Sequence, residues 1–162
     1  IEVIDGSFDD IPYEDETFDI VWSEDAILHS DARDKVVREA ARILKPGGEF
    51  IFTDPMQTDD CNEKELQPIY DRINLSSLGS PSFYRKEAQK HGLVEKDFEE
   101  MPDQLSLHYY RVLQETEKSE PKLDGYVSRE YIENMKKGLR NWVNGGKKGQ
   151  LTWGIFHFAK EA

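Results

Sequence analysis

The succession of strand, helix, helix stop and strand between residues 18 and 55 constrains this chain more than any other feature. Phe18 to Trp22 is a largely apolar run, which suits a strand covered on both faces of a sheet. Val36, Val37, Ala40, Ala41 and Leu44 then fall on one helical face, while Arg33, Lys35, Arg38 and Glu39 lie mostly off it. Ser30 and Asp31 are the expected caps of that helix, with Asp31 and Asp34 near its positive end. Lys45-Pro46-Gly47-Gly48 stops it. Phe50-Ile51-Phe52 follows as a second buried strand, ending in Thr53-Asp54-Pro55. A strand, a helix and a strand in that order imply a right-handed crossover and a parallel pair, hence an α/β fold.

The first of these strands changes character abruptly at Ser23-Glu24-Asp25-Ala26-Ile27-Leu28-His29. Polar groups just past a buried strand lie where open α/β sheets bind ligands. Asp25 and His29, four apart, share one face of a helical turn. Taken alone, the same residues also read as a solvated acidic loop with a capping histidine.

The rest of the chain is mixed. Ile1 to Ile4 reads as a short strand ahead of Asp5-Gly6-Ser7. Leu66, Ile69, Tyr70 and Ile73 keep helical spacing, with Pro68 expected in the first turn. Ser82 is the expected cap of a short helix closed by His91-Gly92. Val94 to Phe98 reads as a strand. Two further amphipathic helices carry Leu105, Tyr109, Val112, Leu113 and Thr116, and Ile132, Met135, Leu139, Trp142 and Val143. A polar connector, Lys118 to Gly125, is expected between them, and Asn144-Gly145-Gly146 is expected to end the second. Leu151 to Ala159 is the last strand.

Composition excludes several classes. Acids outnumber bases 33 to 21, for a formal net charge of −12; such a surface repels phosphate backbones and argues against nucleic acid. It also keeps a protein soluble, which would suit high salt. No apolar run approaches the roughly 18 residues of a membrane span, so no membrane partner is expected. A lone cysteine, Cys61, rules out an internal disulfide framework and fits a reducing, cytoplasmic setting. The acids have no accompanying His/Cys cluster, so no metal site is expected.

Three signatures stand in fixed order: Gly6-Ser7-Phe8-Asp9-Asp10-Ile11-Pro12-Tyr13, Phe18-Asp19-Ile20-Val21 and Leu44-Lys45-Pro46-Gly47-Gly48. Together they resemble the second half of a class I S-adenosylmethionine-dependent methyltransferase. Asp25-Ala26-Ile27-Leu28-His29, Thr53-Asp54-Pro55-Met56 and Trp153-Gly154-Ile155-Phe156-His157-Phe158 narrow the resemblance to the sarcosine/dimethylglycine N-methyltransferases that make the osmolyte glycine betaine. The resemblance implies the C-terminal part of a Rossmann-like sheet, with parallel strands plus an antiparallel C-terminal strand and an inserted helical substrate-binding region. Within one domain, residues 1–55 would form core strands and a helix, 56–82 a substrate-binding segment, and 83–162 the C-terminal helices and strands. The glycine-rich loop of that fold has no counterpart here, and Gly145-Gly146 comes too late to supply one. The chain is therefore expected to be a C-terminal portion, inactive alone, whose exposed sheet edge is covered by a preceding segment or another chain.

The resemblance also assigns roles. S-adenosyl-L-methionine would be the cofactor, with Ser7 facing the adenine amine, Phe8 offering its backbone N–H, and Ser23 and Glu24 at the methionine end. Ser7 stands where most relatives carry an acid, which weakens that hydrogen bond. Methyl transfer to nitrogen needs a neutral amine, so His29 is the candidate proton acceptor and Asp25 the group orienting the amine. Asp25, His29 and Tyr70 are the substrate contacts the resemblance implies; Asn74 stands where phosphobase relatives carry an arginine, and Arg72 on the same helix is read by its own chemistry as a bidentate carboxylate clamp, or else as a surface arginine paired with a nearby acid. Trp22, Tyr70, Tyr84 and Trp153 are candidate aromatic walls for a cationic product. His91 and His157 read as structural, and His108 is left open. Two other readings remain: a methyltransferase for another small amine or a phosphobase such as phosphoethanolamine, and a non-catalytic methyltransferase-like module that binds a partner. A dinucleotide oxidoreductase is distant, because its fingerprint is missing.

Overall fold

A computed structural model describes residues 1–162. Its centre is the expected crossover: β1 (Phe18–Glu24), α1 (Arg33–Ile43) and β2 (Leu44–Gln57), with β1 and β2 parallel. The helix stop is itself the start of the second strand, because Lys45 to Gly48 continue as β2 with a register shift opposite β1. Gly48 has to be glycine there. A Cβ would stand 2.9 Å from the Lys45 carbonyl oxygen and 3.0 Å from that of Asp19.

Beyond β2 come α2 (Glu63–Ile73), α3 (Pro81–Lys90), β3 (Leu93–Glu100), α4 (Pro102–Leu123), α5 (Arg129–Lys147) and β4 (Leu151–Lys160). The four-stranded sheet has the order β1-β2-β4-β3, and β4 runs antiparallel to both neighbours. This is the expected α/β architecture of parallel strands plus an antiparallel C-terminal strand. Phe50, Phe52, Phe156 and Phe158 are all but inaccessible and, with α1 and α3, form the larger core on one side of the sheet. Emptying one such site costs about 3–5 kcal/mol. A second core joins Leu28 and Leu151 to α2, Leu105 of α4 and Trp142 of α5. No helix is long and apolar enough to cross a membrane.

Several local expectations are corrected. Residues 1–4 form no strand, and Ile1 and Val3 are exposed; no strand of the sheet lies beside them, and a strand exists only by pairing. Ala32, not Ser30 or Asp31, caps α1, while the Ser30 hydroxyl accepts the Ala32 N–H. Ser80, not Ser82, caps α3, because Pro81 suits the first helical position. Pro68 sits in the interior of α2 rather than its first turn. The expected connector at Lys118 is helical, and α4 runs on through Pro121 to Leu123. It is held there by α5, since Lys136 pairs with Glu120 at 2.9 Å and Arg140 with Glu117 at 3.1 Å. Gly145 and Gly146 lie inside α5, where a Cβ at either would overlap the Leu151 or Ser106 side chain.

The acidic turn before β1 is tied down by one network. Buried Glu39 accepts from the Arg42 guanidinium and from the Ile11 N–H, and Arg42 also donates to the Ile11 and Tyr13 carbonyls. The Arg42 hydrogen bond holds the Glu39 carboxyl below the usual carboxylate range, outweighing its burial.

Candidate functional site

The site grows from the carboxyl ends of β1 and β2. Directly after β1, Asp25 takes a left-handed backbone conformation (φ +46°) that side chains seldom adopt. Such a conformation costs of order 1 kcal/mol and persists where surroundings enforce it. Thr53 of β2 enforces it, because its carbonyl accepts the Asp25 N–H at 3.0 Å and its hydroxyl donates to Asp25 Oδ1 at 2.8 Å. Trp153 of β4, paired in register with Pro55, donates its indole Nε1 to the same oxygen at 2.8 Å. One carboxylate is thereby fixed by three strands.

A single 3-10 turn, Ile27–His29, follows. Ile27 and Leu28 point into the two cores and leave His29 outward. The turn is pinned from beneath by Asp54, which is 0% exposed. Asp54 Oδ1 accepts the Leu28 N–H at 2.9 Å and Oδ2 accepts the Tyr84 hydroxyl at 2.6 Å. Burial pushes the Asp54 carboxyl up to about 7, against the lowering effect of those two hydrogen bonds. Arg33, also buried, donates to the Leu28, Ser30 and Ser77 carbonyls and so braces the turn from the far side.

Above the turn lies a cavity of about 650 Å³, within the range of roughly 300–1,000 Å³ usual for small-molecule sites. Asp25 and His29 line it together with Trp153 and Pro55, and α4 supplies the facing wall. The Met101 N–H donates to the Trp153 carbonyl at 2.7 Å, so α4 starts against the site. Gln104, His108 and Arg111 of that helix then reach the cavity. Tyr109 stacks on Trp142 with 4.7 Å between centroids, closing the apolar end. Burial raises the Tyr109 phenol to about 12, so it stays a neutral hydroxyl at ordinary pH.

The structure thus unites Asp25 and His29, and Trp153 among the candidate walls. It does not bring Tyr70 or Arg72 to them. The Tyr70 ring is buried in the second core and its hydroxyl is spent on Gln57 Oε1 at 2.8 Å. Arg72 lies against α5, where Nη1 donates to the Asn134 carbonyl at 3.2 Å and the side chain fills the space over Gly138. Of residues 56–82 only Ile73 lines the cavity. Tyr84 is a core residue beneath the site, and Trp22 stands 67% exposed on the edge strand β1. Ser23 and Glu24 end β1 beside Asp25. Ser7 and Phe8 sit on an exposed turn, where the Ser7 hydroxyl bonds Asp9; neither lines the cavity.

Sequence reasoning missed Gln104 and Arg111 and left His108 open. Their spacing of four and three residues was a signal of one shared helical face, but a polar face ordinarily means solvent.

Comparison with known proteins places the chain beside methyltransferases in sequence and fold. Residues 1–52 match a methyltransferase domain family. The chain is 57% identical over 160 residues, 99% of its length, to a sarcosine/dimethylglycine N-methyltransferase of Halorhodospira halochloris, of which it covers 57%. A Galdieria sulphuraria protein, solved as a candidate sarcosine dimethylglycine methyltransferase, superposes with a TM-score of 0.92 at 44% identity, over 96% of this chain and 57% of that one. A Haemonchus contortus phosphoethanolamine N-methyltransferase, solved with S-adenosylhomocysteine, shares the fold at a TM-score of 0.83 and 18% identity, over 96% and 36% of the two chains. The chain spans a little over half the length of the curated relative.

Proposed function

We propose that the chain, whose residues 1–52 match a methyltransferase domain, serves S-adenosylmethionine-dependent N-methylation of sarcosine and dimethylglycine, ending in glycine betaine. The observation that carries this reading is the fixed Asp25 carboxylate, which lines one cavity together with His29, in a chain 57% identical to a relative named for that activity.

When bound, S-adenosylmethionine supplies a methyl carbon on a sulfonium. The acidic end of β1 suits such a cation: Glu24 and Asp25 are adjacent and both accessible. Ser23 and Glu24 are read as the contacts for its methionine end, and the Ser7-Phe8 turn as the adenine contact. His29 would take the proton from the substrate ammonium, leaving the nitrogen lone pair free to accept the methyl group that the cofactor would supply. Asp25 attracts the positively charged amine and fixes its direction, so that alignment supplies much of the rate. Trp153, held by its bond to Asp25, offers a face to the methylated cation.

The edge strand β1 carries Ile20 and Trp22 exposed at 57% and 67%. An open apolar edge is an aggregation hazard, so further polypeptide, from the same or a second chain, is read as covering it in the working enzyme. The acidic surface and lone cysteine fit a cytoplasmic enzyme. Calorimetry with S-adenosylmethionine on the full natural chain, followed by a methyl-acceptor panel, tests the whole reading. Cofactor binding with transfer to dimethylglycine supports it. Transfer only to phosphoethanolamine redirects it to the phosphobases, and no cofactor binding leaves a non-catalytic module.

A further inference from the structure

We infer that Arg111 recognises the substrate carboxylate, presented from α4 on a different wall of the cavity from Asp25. This rests on the amino-acid acceptor proposed above and names the group that selects it. Alone among the arginine side chains, that of Arg111 makes no hydrogen bond and no ion pair: Arg33, Arg42, Arg72, Arg85 and Arg140 are bonded, and Arg38 and Arg129 each lie 3.9 Å from a carboxylate. In a protein with 33 acids against 21 bases, an unpaired guanidinium is conspicuous. Glu115, one turn along α4, pairs instead with Lys118 at 3.4 Å. Asp25 shares the cavity with Arg111 yet spends one oxygen on Thr53 and Trp153, and the two form no ion pair.

Opposite charges held apart across one cavity complement a zwitterion. The substrate amine turns to Asp25 and His29, and the carboxylate to Arg111, whose planar fork takes both oxygens. Gln104 and His108, on the same face of α4, supply further donors. The acidic charge of residues 1–162 makes such a residue useful. A field of −12 repels an anionic group from the site, and Arg111 is the one permanently cationic side chain lining this cavity.

The test compares dimethylglycine with N,N-dimethylethanolamine, which offers the same amine without a carboxylate, in the full natural enzyme. Arg111→Ala is expected to raise KM for dimethylglycine roughly 30- to 100-fold with kcat changed little. Arg111→Lys is expected to recover part of the loss, since charge survives but the fork does not. Transfer to dimethylethanolamine and binding of S-adenosylmethionine should be unaffected by either. Wild-type enzyme active on dimethylglycine, with a KM that ignores Arg111→Ala, overturns the clamp alone. Wild-type enzyme active only on carboxylate-free amines overturns both the clamp and the proposed substrate. Should Arg111→Ala fail to fold, Arg111→Gln keeps the stem and reads the same KM.

Discussion

The indole Nε1 of Trp153 donates to Asp25 Oδ1 at 2.8 Å, joining residues 128 positions apart. The bond runs from the antiparallel strand β4, across Pro55 of β2, to the turn after β1. It holds the carboxylate in the cavity and at the same time turns one face of Trp153 inward. Trp153→Phe keeps an aromatic ring and removes the donor. A hydrogen bond to a charged acceptor is worth about 1.5–3 kcal/mol, part of which Thr53 retains. The expected result is a fall in kcat/KM of roughly tenfold with little change in thermal midpoint, read by steady-state kinetics and calorimetry.

His29 is exposed on a rigid turn, so its substitution should leave the fold intact. His29→Gln is expected to lower kcat about 100-fold at neutral pH, in the range that a positioned base supplies. The deficit should narrow at alkaline pH, where the substrate amine loses its proton to solvent instead. A rate equal to wild type at neutral pH would remove the role of base from His29.

The crossover was legible because two periodicities meet there, an apolar run and a helical face, with Lys45-Pro46-Gly47-Gly48 between them. The position of Asp25 and His29 past the end of β1 was legible, but not as one helical face: Asp25 is left-handed and precedes the Ile27–His29 turn, and the two meet only as lining of one cavity. The facing wall was not legible. Gln104, His108 and Arg111 look like the solvated side of an amphipathic helix until the Met101–Trp153 backbone bond sets α4 over the site. Tyr70 differs for the converse reason: its apolar spacing was right, and it lies in the second core with its hydroxyl on Gln57, which spacing cannot tell. Nor does spacing tell that Arg72 fills the space left by Gly138.

Arg72 separates the two candidate carboxylate sites. Its guanidinium donates to the Asn134 carbonyl on α5, away from the cavity. Arg72→Ala is therefore expected to leave KM for dimethylglycine within about twofold and to lower stability by about 0.5–1.5 kcal/mol, the net worth of one hydrogen bond. Denaturant titration checks the second figure. A large rise in KM would restore Arg72 to the site.

Asp54 makes stability depend on pH in a direction opposite to most paired carboxylates. Its folded pKa of about 7 lies above the value of about 3.9 in an unfolded chain. Between those values the native state holds more protons than the unfolded one, so stability falls as pH rises through that window and is level above it. Three units correspond to about 4 kcal/mol. Glu39, held low by Arg42, acts the other way, and only below its ordinary value of 4.5. Asp54→Asn still offers an oxygen to the Leu28 N–H and an amide to the Tyr84 hydroxyl, and it has no proton to lose in this range. Urea titrations at pH 5 and pH 8 should show the wild-type protein less stable at the higher pH, with most of that difference gone in the variant. Parallel slopes for the two proteins would mean that Asp54 is not the group responsible.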